Sequence, residues 1–407
     1  MDQPKVHRYL SQSRLAEDPA AAPSPISENY QRTFAELKER LAFDPADSPE
    51  LFVAYTPEAR VETLEIDGDC SIVYDQRLGQ SFNRLNDFAL ADWPQPYVIQ
   101  WGLKHLAVAL AGCGDSDAAG AALMCSQVWP VKDRPTTRSK EIFPVRMIVT
   151  AIQEHFVLAH ECVHAAIERG LPTADRAEFV ANLDAVAAFL DEQTGNPDEA
   201  ERQMIQDEAR AVQAMSGAQG TPDPQLEERL RSARAQETRD GGRAAGEILA
   251  GKLDLREELL CDQIASELVL AKFAAMKLDF ATILTSILHA FHNLTSLSVI
   301  RSLARDWRED GPPSPELQAL TVRKGVWRTN MRATEEALGL DREAHSGFVE
   351  ITELHASTVG DPILFILPFE FHRIMEKLDG ESFDKTGVYE ALHALGTQPP
   401  GLPSTEA

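Results

Sequence analysis

The stretch FVLAHECVHAAIERG, residues 156–170, contains the pattern H-E-x-x-H, with His160, Glu161 and His164 at its fixed positions. Two histidines four residues apart lie one turn apart on the same face of an α-helix, so both imidazoles can reach one ion. The glutamate after the first histidine can stand beside the open coordination position and take a proton from bound water. The pattern therefore predicts a helix with two zinc ligands, His160 and His164, and a general base, Glu161.

The residues around the motif indicate that its helix is buried. The face that carries the two histidines continues as an apolar stripe of Val149, Ile152, Phe156, Val163 and Ile167. An imidazole in apolar surroundings needs a partner, because burying it unpaired costs free energy. Two interpretations follow: a zinc site, or two core histidines that are satisfied by neighbouring carbonyls or carboxylates.

A third zinc ligand is expected from a second helix, in LDLREELLCDQIASELVLAKF, residues 253–273. Glu258 and Asp262 lie one turn apart on one face of this helix. Glu258 can coordinate the ion, while Asp262 can reach back to a ligand histidine and fix its tautomer. Glu257 has a different explanation, because Asp254-x-x-Glu257 is typical of a capping box at a helix N-terminus.

HECVH followed by ELLCD resembles the gluzincin metallopeptidases, whose pattern is H-E-x-x-H and later E-x-x-x-D. The resemblance implies Zn²⁺ held by His160, His164 and Glu258, with Glu161 as the base and Asp262 as the supporting carboxylate. It also implies a zincin-like body in which a sheet packs on the motif helix and its edge strand aligns a peptide substrate. The resemblance covers only these two helices, and the 93 residues between His164 and Glu258 exceed what is usual in compact members.

The order of β-rich and helical segments predicts the class α+β, a predominantly helical body joined to a small N-terminal β-sheet. The resemblance implies that this sheet packs on the H-E-x-x-H helix. Strands are expected in LFVAYTP and in RVETLEIDGDCSIVYD, where Asp67-Gly68 forms a hairpin turn, and a further strand in residues 121–131. The expected helices are Asn29–Leu41, residues 97–113, Pro144–Gly170, Asp254–Lys277 and Phe280–Trp307.

The composition of successive segments predicts four units. Residues 1–28 are rich in Ala, Pro and Ser and are expected to be a disordered arm. Residues 29–310 form the metallopeptidase domain, with an acidic helical insertion at about 173–250. A C-terminal helical region follows at 311–395, and a flexible tail at 396–407.

The net charge limits the classes of partner. Lys and Arg total 39 against 64 Asp and Glu, a formal charge of −25, which repels nucleic acid and anionic membranes. We therefore expect a peptide or protein substrate, no nucleic acid and no membrane. A local basic window is interpreted as a solvated helix face and consists of Arg323, Lys324, Arg328 and Arg332.

The termini and cysteines predict a cytoplasmic protein. The first 29 residues lack an apolar core, so no signal peptide is expected. Five widely spaced cysteines do not form a disulfide framework. Cys162 and Cys261 stand next to proposed metal residues but are interpreted as small core residues. The oligomeric state has no signature in the sequence.

Three further assignments concern the site. An oxyanion-stabilising group is expected beyond the third ligand, and ILHAFHNL offers His289 and His292. A di-iron carboxylate bundle is an alternative metal site, because E-x-x-H occurs at Glu161 and at Glu390, with Glu258 and Glu267 as further carboxylates. A non-catalytic interaction protein with a coincidental or decayed motif is the other alternative.

Overall fold

A computed structural model describes residues 20–21, 24–45, 48–56, 58–66, 69–128, 136–169, 253–306, 316–317, 319–327 and 354–378. The strands are β1 (Ala20–Ala21), β2 (Glu50–Tyr55), β3 (Val61–Ile66) and β4 (Asp69–Asp75). The first helices are α1 (Ser24–Arg40), α2 (Gln76–Leu90), α3 (Gln95–Gly112), α4 (Ser116–Val128) and α5 (Thr136–Glu141). They are followed by α6 (Phe143–Glu168), α7 (Leu253–Ala275), α8 (Phe280–Asp306) and helical residues 319–327 (α9). Residues 354–378 are helical and include the π-helical turns Ala356–Gly360 and Pro362–Ile366 and the helix α10 (Leu367–Leu378).

The predicted class α+β is confirmed: the described chain is mainly helical, with one small sheet near its N-terminus. The strand order is β1-β2-β4-β3, with β2 parallel to β4 and the other pairs antiparallel. The predicted hairpin is present, since β3 and β4 pair from Ile66 with Asp69 onwards, although residues 67–68 lie outside the described part. β3 lies at one edge of the sheet among the described strands.

The motif helix α6 is the centre of the fold. It contacts α1, α2, α7 and α8, and the strands β3 and β4 pack against it. Pro144 stands in its first turn, where the missing backbone N–H removes no helical hydrogen bond. Gly79 of α2 faces the Glu154 side chain of α6, and a Cβ at this position would collide with that carboxylate. The small residue therefore permits the close approach of the two helices.

Two hydrophobic clusters form the core. One joins the sheet to α1, α6, α7 and α8, with Phe156, Ile72 and Phe291 fully buried within it. The other joins α2, α3, α4 and the end of α8 to residues 354–378. α9 belongs to the first cluster through Trp327, whose indole N–H donates to Ser266 Oγ on α7 at 2.9 Å. The described C-terminal segments therefore share the core of the preceding residues.

The element boundaries agree with the predictions at some places and differ at others. The motif helix α6 ends at Glu168, within a few residues of its predicted end, and the ends of α7 and α8 are also within a few residues of the predictions. Residues 121–128 are helical, against the predicted strand, because the alanine-rich sequence of α4 favours a helix. The first helix begins at Ser24, and Ala20–Ala21 pair with β2, so residues 20–21 and 24–28 belong to ordered elements instead of a disordered arm.

The predicted insertion at about 173–250 and the tail at 396–407 lie outside the described residues. Among the described helices, α8 is long and apolar enough to cross a membrane, yet 89% of its most apolar window is buried inside the molecule. The core helix of a soluble protein passes the same test, so α8 is weak evidence for a span.

Candidate metal centre

Packing of α6 against α7 brings the three predicted ligands together, despite the 93 residues between His164 and Glu258. The Nε2 atoms of His160 and His164 lie 3.1 Å apart. The Glu258 carboxylate lies 3.3 Å from each of them, through Oε2 to His160 and through Oε1 to His164. The residues of E-x-x-x-D and H-E-x-x-H thus converge on one point.

These separations fit a tetrahedral metal ion. Zinc binds imidazole nitrogen and carboxylate oxygen at about 2.0–2.2 Å, which places neighbouring ligand atoms roughly 3.3 Å from one another. The three side chains form the one group of potential metal ligands found among the described residues. Two neutral imidazoles and one carboxylate are also a donor set used by catalytic zinc sites. The residues present therefore fit the ion that the sequence predicts.

The other nitrogen of each imidazole faces a carboxylate. His160 Nδ1 lies 2.9 Å from Asp262 Oδ1, as predicted from the spacing on α7. His164 Nδ1 lies 2.9 Å from Glu257 Oε1, so the explanation of Glu257 as a capping residue alone is wrong. A hydrogen bond from each Nδ1–H to its carboxylate would leave the lone pair on Nε2 directed at the shared point.

Arg323 of α9 enters the site, against its interpretation as part of a solvated basic face. Its side chain is 12% exposed. Nε and Nη2 each donate to the Asp262 carboxylate at 2.7 Å, and Nη1 lies 2.6 Å from Glu258 Oε2. Nη2 also lies 3.4 Å from the ring nitrogens of His160. One guanidinium therefore clamps two of the three carboxylates that α7 contributes, those of Asp262 and Glu258.

A signal for Arg323 was present in the sequence. Val322, Val326 and Trp327 are buried, and they surround Arg323 at helical spacing. An arginine among apolar residues on a short helix indicates a half-buried side chain that needs an acidic partner. Arg328 and Arg332, which made the window look uniformly basic, lie outside the described residues.

The proposed base Glu161 lies beside the three ligands and is held from the sheet. The hydroxyl of Thr63, on β3, lies 3.0 Å from Glu161 Oε2 and 3.0 Å from the Glu161 carbonyl oxygen. Burial raises the pKa of the Glu161 carboxyl, although the neighbouring His160 and His164 oppose this shift. A residue that the sequence did not single out, Thr63, thus fixes the carboxylate of the motif glutamate.

Negative charge dominates the surroundings of the imidazoles. Burial lowers the pKa of both imidazoles, and the Arg323 guanidinium lowers that of His160 further. Asp262 and Glu258 accept hydrogen bonds from His160, and Cys261 and Glu258 accept them from His164; these partners outweigh the lowering, so both pKa values are raised. Burial raises the pKa of the Glu258 carboxyl. The imidazoles of His160 and His164 and the guanidinium of Arg323 outweigh this effect and hold the pKa far below its usual range. Such surroundings favour a cation at the shared point, whether a proton or a divalent metal ion.

The two cysteines beside the motif differ from each other. Cys162 is fully buried in the core, as predicted. Cys261 is equally buried but forms a hydrogen bond with His164, and burial is the main cause that raises the pKa of its thiol to about 11. All five cysteines are free thiols.

The predicted oxyanion donors on α8 form a different cluster. The ring of His289 stacks on His355 at 4.1 Å, and the ring of His292 lies 5.5 Å from His355. All three side chains are buried, and burial lowers the pKa of His355 to about 3. The structure therefore places Arg323 instead of these histidines at the candidate metal centre.

One carboxylate of the di-iron alternative, that of Glu267, lies away from the candidate metal centre. Glu267 is exposed and accepts a hydrogen bond from Gln263 at 3.3 Å, so it does not join the cluster around His164. Glu390 and His393 lie outside the described residues.

The candidate site is thus formed by residues of the two long helices α6 and α7, the edge strand β3 and the short helix α9. The chain matches no family model, and its comparison with curated proteins and with solved structures finds no match.

Proposed function

We propose that this protein is a zinc-dependent peptidase. One observation carries the proposal: the Nε2 atoms of His160 and His164 and the Glu258 carboxylate converge within 3.1–3.3 Å, and Glu161, the residue after His160, is held by the Thr63 hydroxyl. A buried neutral imidazole needs one acceptor for its N–H and one donor for its bare nitrogen. Here each imidazole has a carboxylate on Nδ1 and an additional shared carboxylate on Nε2, an arrangement that suits a divalent ion.

Each protein group has a distinct role in the proposed hydrolysis. A zinc ion held by His160, His164 and Glu258 would supply a Lewis acid that polarises a carbonyl and lowers the pKa of water. Glu161 accepts a proton from the attacking water and delivers it to the leaving amine. Thr63 holds the Glu161 carboxylate in one orientation.

Arg323 is the proposed source of fixed positive charge. Its guanidinium lies against Glu258 and Asp262 and within 3.4 Å of His160, so its position is set by two ion pairs. Negative charge develops on the scissile carbonyl oxygen during hydrolysis, and a preorganised cation nearby lowers the barrier.

A peptide is the proposed substrate because an edge strand borders the site. β3 packs on α6, and one of its edges has no partner strand among the described residues. An extended peptide can add to such an edge by main-chain hydrogen bonds. Thr63, on this strand, already contacts Glu161, so a strand added there would pass close to the base.

The test combines metal analysis with a peptide assay. Tag-free protein is analysed for metal, and cleavage of a mixture of unstructured peptides is followed by mass spectrometry. We expect one zinc per chain, and Glu161→Gln should keep the zinc and the fold while losing about 10²–10⁴-fold in rate. Glu168→Gln, an exposed glutamate of the same helix, is the matched control and should cleave like the unchanged protein.

Three results would count against the proposal. Two irons per chain would favour the carboxylate-bundle alternative, and a chain purified without metal that does not take up zinc would favour a non-catalytic role. Full peptidase activity in Glu161→Gln would show that another group accepts the proton.

A further inference from the structure

The direction of β3 relative to the motif helix gives the candidate metal centre two different sides. Thr63 of β3 contacts Glu161, and two residues later Glu65 pairs with Cys70 of β4. The side chain of Cys70 interacts with that of Arg169, which follows the last residue of α6. The end of β3 therefore lies beside the end of α6, and the start of β3 lies toward the earlier turns of that helix.

The two sides differ in their exposure to solvent. On the side toward the end of α6, the side chains of His164 and Glu257 are 16% and 41% exposed. On the side toward the earlier turns, the side chains of His160 and Asp262 are only 6% and 3% exposed, and Arg323 lies against both. The centre is therefore open toward the end of β3 and covered toward its start.

A cluster of charged side chains joins the start of β3 to the residues before α9. Arg60 immediately precedes β3, and its carbonyl oxygen accepts a hydrogen bond from the Asp75 N–H of β4. Its guanidinium Nη2 lies 3.7 Å from Glu316 Oε2, and Glu316 Oε1 lies 2.5 Å from Nη2 of Arg301 on α8. Residues of the sheet, of α8 and of the segment that leads into α9 thus meet at this point.

Two independent paths give the same distance from this cluster to the candidate metal centre. Arg60 precedes Thr63 by three residues, or about 10 Å at the rise of a β-strand. Glu316 precedes Arg323 by seven residues of a mainly helical segment, or about 10 Å at the rise of an α-helix. An extended peptide that lies along β3 therefore has room for about two or three residues between the centre and the cluster.

Arg60 is the member of the cluster that can still bind an anion. Its guanidinium nitrogens lie 3.7 Å from Glu316 and 3.8 Å from Glu58, which is too far for a hydrogen bond, whereas Arg301 holds Glu316 at 2.5 Å. The Arg60 side chain is 33% exposed. A guanidinium presents paired N–H groups that match the two oxygens of a carboxylate.

Strand pairing and charge agree on which end of a peptide would reach Arg60. A peptide that pairs antiparallel with β3 points its C-terminus toward the start of β3, and antiparallel pairing is the slightly more stable kind. A parallel peptide would instead bring its positively charged N-terminus against the Arg60 guanidinium, and like charges repel.

We propose that the protein removes a dipeptide or tripeptide from the C-terminus of its substrate, with Arg60 binding the terminal carboxylate. This inference rests on the proposed zinc peptidase and names the class of substrate for the same site. The bond that breaks is the peptide C–N bond opposite the metal centre. The hydroxyl of the attacking water goes to the carbonyl carbon, and Glu161 transfers its proton to the amine of the released di- or tripeptide.

The test compares two forms of each substrate with the full-length protein. The substrates are N-acetylated ten-residue peptides of mixed sequence, each with either a free C-terminal carboxylate or a C-terminal amide, and the products are identified by mass spectrometry. We expect di- and tripeptides from the C-terminus of the free acids. The amides should be cleaved at least about tenfold more slowly, because they lack the charge that Arg60 binds.

Variants of Arg60 assign the preference to this residue. Arg60→Gln should cleave the acid and the amide at the same rate, and Arg60→Lys, which keeps a positive charge, should retain part of the preference. Arg32→Gln, a change of an exposed arginine of α1, is the control and should prefer the acid as the unchanged protein does. Zinc content and thermal unfolding are measured for each variant.

A binding measurement supplies a readout that does not depend on turnover. Fluorescence anisotropy of labelled acid and amide peptides is followed on Glu161→Gln. The acid should bind at least about tenfold more tightly than the amide, and the difference should disappear when Arg60→Gln is added.

The outcomes separate this inference from the peptidase proposal. Internal cleavage of acids and amides at equal rates by zinc-loaded protein would overturn the inference and leave the peptidase standing. A preference for the acid that persists in Arg60→Gln would overturn the role of Arg60. Absence of zinc binding and of cleavage for both peptide forms would overturn both proposals.

Discussion

At the scale of single residues, the site depends on which nitrogen of each imidazole faces which carboxylate. Asp262 and Glu257 take the Nδ1 sides of His160 and His164, at 2.9 Å in both cases. Both Nε2 atoms are thereby left for Glu258 and the proposed ion. The two outer carboxylates lie at the same distance from their imidazoles, although they stand on different turns of α7 and only Asp262 is buried.

The first residue-scale prediction concerns Glu257. We expect Glu257→Gln to lower zinc affinity about 10–100-fold, as Asp262→Asn should, because each removes the acceptor that orients one imidazole. Glu258→Gln should weaken zinc further, since it removes a ligand. Affinities are measured by competition with a chromogenic chelator, and Glu267→Gln on the exposed side of α7 serves as the control. Wild-type affinity in Glu257→Gln would reduce Glu257 to a helix-capping role.

The second residue-scale prediction concerns Arg323. Lysine keeps the charge but cannot donate through Nε and Nη2 to Asp262 while Nη1 pairs with Glu258. We expect Arg323→Lys to lower kcat/KM about 10²-fold or more while zinc is retained. Arg305→Lys on the exposed side of α8 is the matched control. If kcat/KM is unchanged and only the melting temperature falls, Arg323 is a structural clamp and not an electrostatic catalyst.

At the scale of elements, both α7 and β3 contribute groups that contact the motif residues of α6. α7 supplies the carboxylates, while β3 supplies the hydroxyl that holds Glu161. The sheet therefore has a role in the site beyond covering α6, because a shift of β3 would release the base.

The element-scale prediction tests this coupling through Thr63. Thr63→Val keeps the β-branched shape and removes the hydroxyl, so kcat should fall about tenfold while zinc stays bound. Thr63→Ser keeps a donor and should restore most of the activity. The two variants are compared by steady-state kinetics and metal content. Equal activity in Thr63→Val and the unchanged protein would mean that Glu161 is positioned without the sheet.

At the scale of the whole molecule, stability depends on a buried carboxyl where three elements meet. Glu154 of α6 accepts hydrogen bonds from Tyr30 of α1 at 2.5 Å and from Tyr74 of β4 at 3.1 Å. Burial raises the pKa of Glu154 above 4.5, although the two hydroxyls oppose the shift. The ionised carboxylate is thus less well accommodated in the folded state than the neutral acid.

The direction of the pH effect follows from this raised pKa. The stability that the Glu154 carboxyl group contributes is fully present below the pKa of this group in the unfolded chain, about 4.5. It is lost as the pH rises through the higher pKa of the folded state. Glu154→Gln stays neutral, so its free energy of unfolding relative to the unchanged protein should rise from pH 4.5 to pH 8. We expect the Tm of the variant to rise relative to that of the unchanged protein between these two pH values. The exposed Glu39→Gln is the control, and a difference that falls with pH would contradict the assignment.

Much of this arrangement was set by local sequence. Helical period and residue spacing predicted α6, α7 and α8, the β3–β4 hairpin, and the ligands His160, His164 and Glu258. The helices, the hairpin and the histidine pair depend on hydrogen bonds and geometry within a few residues, so they can be read from short segments. Glu258 reaches the histidines only because α7 packs on α6. The strand predicted at 121–131 failed because an apolar run of small residues does not by itself distinguish strand from helix.

Only the tertiary structure decided which groups surround those ligands. Thr63 precedes Glu161 by 98 residues, Glu257 follows His164 by 93, and Arg323 follows Asp262 by 61. Their approach is determined by how the apolar faces of α6, α7, α9 and the sheet pack into one core. Packing is non-local, because each face can be buried against many partners and only the whole chain selects one. The sequence determined the three side chains of the candidate metal centre, and the packing determined the residues that hold Glu161 and clamp Glu258 and Asp262.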